Sequence, residues 1–140
     1  MKFLSILFLV VCFGNVFSQK EITWKDLDCE FEEVWSEEYS AVYLEPLFED
    51  KHLVLDSVNV KIKGKLLKVE ADGTMYILSE SIFDIHNFRG GADEVIQVEA
   101  SSISDNIARD KDVWVKGTLI LNKSDILNLT YILKNAEIIE

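Results

Sequence analysis

From Val58 to Leu66 apolar and polar residues alternate: Val58, Val60, Ile62, Gly64 and Leu66 fall on one face, Asn59, Lys61, Lys63 and Lys65 on the other. A half-buried strand requires that period of two. Past Leu66 the alternation slips, with Leu67 and Val69 on the apolar side, which predicts an inserted residue, a β-bulge or a sharp coil. Ala71-Asp72-Gly73 supplies residues that tolerate positive φ, and the chain then returns as a strand ending at Leu78. Gly64 in mid-strand costs stability unless the backbone must bend there or pass close to another element.

A second stretch echoes the first. Val113-Trp114-Val115-Lys116-Gly117-Thr118-Leu119 matches Val60-Lys61-Ile62-Lys63-Gly64-Lys65-Leu66 in its apolar positions, its Lys-Gly pair and its leucine. Nothing else recurs at that spacing, so a tandem repeat does not explain it. Two neighbouring strands bent by the same device do, with chance likeness between V-x-V strands as the competing account. The first and fourth strands of an OB-type barrel are such neighbours.

Further strands are expected over 94–100, 112–121 and 129–139, the last with Leu129, Tyr131 and Leu133 on one side. Upstream, Thr23 is placed to cap a short helix over Trp24–Asp28, and Ser40–Phe48 reads as a strand that Pro46 confines to an edge or ends. Residues 49–56 read as a polar connection, 101–111 as polar with one helical turn, and 124–128 as a turn of helix capped by Ser124. The fold expected is therefore all-β. A small OB-like five-stranded barrel over 49–140 follows an acidic N-terminal extension over 19–48, a short helix plus an extra edge strand, in one globular unit.

Residues 1–18 stand apart. Lys2, an apolar run from Phe3 to Phe13 and a small residue at Ser18 form the pattern of a secretory signal peptide, too short to span a bilayer. Export to a periplasmic or extracellular space is expected, with lipidation at Cys12 as the alternative, although Val11 is bulky for a lipoprotein cleavage box. Of 140 residues, removal of 18 leaves 122 and takes one lysine but no acid, so the net charge moves from −11 to −12. That charge repels phosphate backbones and anionic membrane surfaces, so no nucleic-acid partner is expected. Cys29 alone survives processing, which excludes an internal disulfide; a small buried hydrophobe is its plainer role and a reactive thiol the other.

Candidate chemistry concentrates in residues 79–93, a long connection holding Asp84, His86, Asn87, Phe88, Arg89, Gly90 and Gly91. His86 with Asp84, and with His52 or Glu94, is a weak candidate for a His/carboxylate metal site, against the plainer view of partly exposed loop histidines. Lys61, Lys63, Lys65 and Lys68 form a basic stripe suited to an acidic partner or to the chain's own N-terminal glutamates, if it is more than a solvated strand face. Five glutamates between Glu30 and Glu38 read as a solvated acidic face. Asn122-Lys123-Ser124 and Asn128-Leu129-Thr130 are glycosylation sequons in form. The sequence carries no G-x-S-x-G elbow, no H-E-x-x-H and no phosphate-cradling glycine loop, and no cofactor is implied.

Trp24, Phe31-Glu32-Glu33, Val60-x-Ile62-Lys63-Gly64, Met75-Tyr76-Ile77-Leu78-Ser79, Gly90-Gly91-Ala92, Val115-Lys116-Gly117-Thr118-Leu119, Asp125 and Tyr131-Ile132-Leu133 together resemble a family of exported OB-fold-like proteins of Gram-negative bacteria. The likeness covers nearly all of the chain beyond the signal and bears on architecture, because the family has no assigned reaction. Its relatives carry a Cys-x-x-Cys-Gly-Gly loop after the second strand, a pair suited to a soft metal or a redox disulfide. Here His86 and Arg89 stand in the places of the two cysteines, and arginine is no metal ligand. The function expected is that of a non-catalytic binding or accessory module that uses the 79–93 loop and the adjacent barrel face to meet a protein, peptide or small ligand, a reading that rests partly on analogy between folds. An accessory to metal uptake or delivery is the alternative.

Overall fold

The computed structural model describes residues 19–70, 73–81, 95–103 and 111–139. In order, its elements are β1 (Lys20–Glu21), α1 (Trp24–Leu27), β2 (Glu30–Ser36), β3 (Ala41–Leu47), α2 (Asp50–Leu53), β4 (Val58–Glu70), β5 (Thr74–Ser79), β6 (Val95–Val98), β7 (Asp112–Leu121) and β8 (Tyr131–Ile139). The strands run β4-β5-β6-β8-β7 and back to β4, which closes an OB-like barrel of five. Only the β6–β8 pairing within it is parallel.

The long strand β4 makes closure possible. Its first part pairs with β7 through Val58–Lys65 and its second with β5 through Lys65–Glu70, so it leaves one neighbour as it joins the next. On the edge away from β7, the first part of β4, ahead of its pairing with β5, is taken by β1, parallel at Lys20↔Val60 and Glu21↔Lys61, and the Ile22 N–H extends that ladder to the Lys61 carbonyl at 3.0 Å.

The two echoing segments are antiparallel partners in interlocking register. Val60 faces Gly117, Ile62 faces Val115 and Gly64 faces Val113. Each glycine lies where another chain segment crosses closely. A Cβ on Gly64 would stand 2.6 Å from the Ser79 carbonyl oxygen and 2.8 Å from the Trp24 ring; one on Gly117 would stand 2.8 Å from the Lys134 carbonyl oxygen. Close approach is thus the reason for both residues.

No residue is inserted at Leu66–Leu67. The β4–β5 register is unbroken from Lys65↔Ser79 to Glu70↔Thr74. Leu66 stays in the core, while Leu67 is buried on the opposite face, in a cross-strand row with Ile77, Gln97 and Ile132. The slip marks a strand buried on both faces rather than a bulge. The irregularity lies instead in β8: three steps from Lys134 to Glu137 oppose two from Thr118 to Lys116, with Asn135 at φ 51°. This is a bulge with a left-handed residue, a conformation asparagine tolerates, and Gly117 is the residue opposite it.

The barrel core is apolar from end to end. Val60, Ile62, Leu78, Ile96, Val115, Leu119 and Leu133 are each at most 1% exposed. Each such side chain stabilises the fold by about 1.5–3 kcal/mol relative to exposure. The segment before the barrel packs into the same core. Trp24 donates its Nε1–H to the Lys63 carbonyl at 2.8 Å, and the buried Tyr131 hydroxyl donates to the Leu27 carbonyl at 2.6 Å. The short helix expected at Trp24 forms, its start held by the Asp26 carboxylate, which accepts from the Thr23 N–H at 2.8 Å and the Thr23 hydroxyl at 3.1 Å.

Three local expectations need correction. The connection over 49–56 contains the helical turn α2, and His52 on it is 1% exposed rather than a loop histidine. The strand expected over 40–48 forms as β3, yet it pairs with β2 in a separate two-stranded sheet, which the glutamates of 30–38 conceal. Residues 124–128 form no helix and Ser124 caps nothing there. Asn122 and Asp125 hold that loop instead: Asn122 Oδ1 accepts from the Asp125 N–H, and Asn122 Nδ2 donates to the carbonyls of Asp125, Asn128 and Leu129.

Candidate functional site

Asp84, His86, Asn87, Phe88, Arg89, Gly90, Gly91 and Glu94 lie outside the described residues. The base of their loop is described. Ser79 is fully buried beneath Gly64, and its hydroxyl donates to the Ser81 carbonyl at 2.8 Å. Lys65 is the cross-strand partner of Ser79, so the lysine stripe passes the base of this loop at Lys65.

The stripe itself is largely matched by local acids. Lys61 lies 3.9 Å from Glu21 and 5.0 Å from the Trp114 ring centre, Lys65 donates to Asp112 at 2.8 Å, and Lys68 lies 3.3 Å from Glu70. Lys63 is exposed, and its carbonyl holds Trp24. The Lys65 hydrogen bond holds the Asp112 carboxyl below the usual carboxylate range, against a smaller opposing effect of desolvation.

His52 is a structural residue. Its Nδ1 accepts from the Glu49 N–H at 2.9 Å, so Nε2 carries the proton and donates to the Asp28 carbonyl at 2.7 Å. The ring stacks obliquely on Phe48, 5.9 Å between centres, and Phe48 in turn on Tyr131 at 6.0 Å. With both nitrogens engaged by backbone, His52 has no lone pair for a metal. Among the described residues no three His, Cys, Asp or Glu side chains converge as a metal site. Cys29 is half-buried, its thiol 3.3 Å from the Glu30 carbonyl.

A feature missed at the sequence level is a groove of about 830 Å³ across β5, β6 and β8, lined by Met75, Tyr76, Glu99, Ser101, Lys134 and Asn135 among others. It lies along the second and third barrel strands, the side on which OB folds take ligands. The β5–β6 ladder joins it to the 79–93 loop, because Tyr76↔Val98 borders the groove and Ser79↔Val95 borders the loop. Three strand steps separate them, about 10 Å. The signal was Lys134-Asn135, a polar pair that breaks the alternation of the closing strand, where Asn135 is left-handed.

Among the described residues no helix is long and apolar enough to cross a membrane. No protein-family model matches the chain. No curated protein resembles it closely enough to count as a match. Its backbone is similar to the crystal structure of a DUF3299 family protein from Pseudomonas aeruginosa PAO1, at 14% sequence identity and a TM-score of 0.49, over 88% of this chain and 97% of that one.

Proposed function

We propose that the chain is an exported, non-catalytic binding or accessory module that meets its ligand along the β5–β6–β8 side of the barrel. The observation that carries this reading is the groove of about 830 Å³ bounded by Tyr76, Glu99 and the bulge at Asn135. A ladder connects that groove to the base of the 79–93 loop at Ser79 and Val95, so one extended ligand of about 10–15 Å reaches from one to the other. Its rim mixes Glu99, Glu137 and Lys134 with Met75 and Tyr76, which suits a peptide or small polar molecule with an apolar part. The net charge of −11 argues against a nucleic acid.

Export rests on the pattern of residues 1–18, and the mass of the processed protein tests it: a chain starting at Gln19 supports it, a lipidated Cys12 turns it into membrane anchoring, and an intact Met1 overturns it. The metal-delivery alternative retains only Asp84, His86 and Glu94, since the nitrogens of His52 are taken. Binding is tested by amide NMR of the labelled mature protein, titrated with fractionated extract from cells that secrete it. Shifts confined to 74–76, 98–101 and 134–137, with or without loop resonances, support the reading; shifts only elsewhere, or none from any fraction, overturn it.

A further inference from the structure

A second groove, of about 610 Å³, separates the β2–β3 hairpin from the loop that follows β7. Its hairpin wall is mostly apolar: Val42, Leu44 and Pro46 alternate onto one face of β3, with Glu33 opposite Leu44 and Trp35 opposite Val42 across the ladder. Much of this surface is open, with Trp35 59% exposed, Val42 57%, and Leu127 on the opposite lip 72%. Exposed aromatic and branched residues gathered on one side are what a partner usually covers.

Charge selects the occupant. From Asp26 to Asp50 the chain carries ten acidic residues and no lysine, arginine or histidine. The described ion pair to this segment is Lys123 with Glu45, at 3.4 Å. A second copy of the chain would bring the same acids against themselves. An anionic lipid surface is repelled for the same reason. A segment with apolar anchors between basic residues matches both the floor and the rim.

We infer that the groove between the β2–β3 hairpin and the 122–130 loop docks an extended basic, apolar segment of another polypeptide. Apolar side chains of that segment sit against Val42, Leu44 and Leu127, while its cations lie near Glu33. This surface is separate from the β5–β6–β8 groove, so the two readings stand or fall apart.

The test uses a synthetic twelve-residue peptide alternating lysine with leucine and phenylalanine, read by the fluorescence of Trp35 and by amide NMR. The expected result is saturable binding with shifts on β3 and the 122–130 loop. Affinity should weaken more than tenfold in Leu44→Lys, and more than threefold when salt rises from low to physiological levels. Two comparison peptides set the specificity: glutamate replacing lysine, and serine replacing the apolar residues, should each bind at least tenfold worse. Circular dichroism of Leu44→Lys checks folding, and Leu127→Lys, at the more exposed lip, repeats the test if that variant unfolds. Equal binding of all three peptides, or unchanged affinity in a folded variant, overturns the proposal. So does concentration-dependent dimerisation that Leu44→Lys abolishes, which would make a second copy the occupant.

Discussion

The β4–β7 ribbon and the β2–β3 hairpin are both antiparallel ladders in unbroken register, yet they are opposites in what they bury. The ribbon places Val60, Ile62, Val113 and Val115 in the core at no more than 2% exposure and has glycine where another backbone crosses. The hairpin leaves Val42, Leu44 and Trp35 more than two-fifths exposed, and its strand β2 carries glutamates on both faces. One ladder is specified by packing against the rest of the chain, the other by its own pairing and by charge. Substitutions in the ribbon should therefore cost stability, while those in the hairpin should change what the protein touches.

The sharpest way to break this contrast is Gly64→Ala. Its new methyl group meets a carbonyl oxygen at 2.6 Å, where backbone has to move, and the Trp24 ring at 2.8 Å. Overpacking of this kind costs about 2–3 kcal/mol. Denaturant unfolding should show it, and a loss below about 0.5 kcal/mol would mean the ribbon is not tightly fitted here. Next in size is Tyr131→Phe, which removes the 2.6 Å hydrogen bond to the Leu27 carbonyl and leaves that acceptor buried. The expected cost is about 1–3 kcal/mol. Equal stability of the two proteins would detach the N-terminal segment from the barrel's cooperative unit.

The barrel was legible in the sequence for a physical reason. The period of two in 58–66 and the paired Lys-Gly positions report local geometry that each strand needs whatever its neighbours are, and Gly64 and Gly117 lie on adjacent strands as that reading requires. What was hidden depends on distant partners. Leu67 looked like a slip because its cover is tertiary, and a four-residue helix such as α2 carries almost no periodicity of its own. His52 is set by the carbonyl of Asp28, which no local pattern reveals. In β2, glutamates occupy positions that a buried strand would fill with apolar residues, so the strand reads only as a solvated acidic face. Of the expected site, the lysine stripe proved largely neutralised by local acids, the 82–94 side chains lie outside the described residues, and the β5–β6–β8 groove is bordered by a bulge centred on one asparagine.

That bulge offers an intermediate test. Asn135 holds a left-handed conformation at φ 51°, so Asn135→Ala should cost about 1 kcal/mol and Asn135→Gly should be nearly neutral. A melt in which the two variants behave alike would remove strain as the reason for asparagine. Smaller again is the Lys65–Asp112 pair beside the 79–93 loop. Its folded carboxyl is held below the ordinary range, so its contribution is present at neutral pH and fades as acid takes the pH through that lowered value. Both side chains are partly solvated, so Asp112→Asn should cost at most about 1 kcal/mol at pH 7 and low salt, with wild type and variant converging at low pH. A gap that persists once the carboxyl is protonated would assign the effect to packing instead.

The smallest expected change lies at the hairpin groove, and it discriminates most cleanly. Leu127 is 72% exposed on the groove's lip, so folding draws little stabilisation from it and Leu127→Ser should shift stability by about 0.5 kcal/mol or less. The same substitution removes one of the apolar surfaces offered to a docked segment, so it should weaken the lysine–leucine peptide several-fold while the melt stays put. Loss of both together would make the 122–130 loop part of the barrel's packing, held as firmly as Asn122 and Asp125 hold its backbone. Loss of neither would leave the apolar lip without a role in fold or contact, and the division between a ribbon built to pack and a hairpin built to meet a partner would fail at that residue.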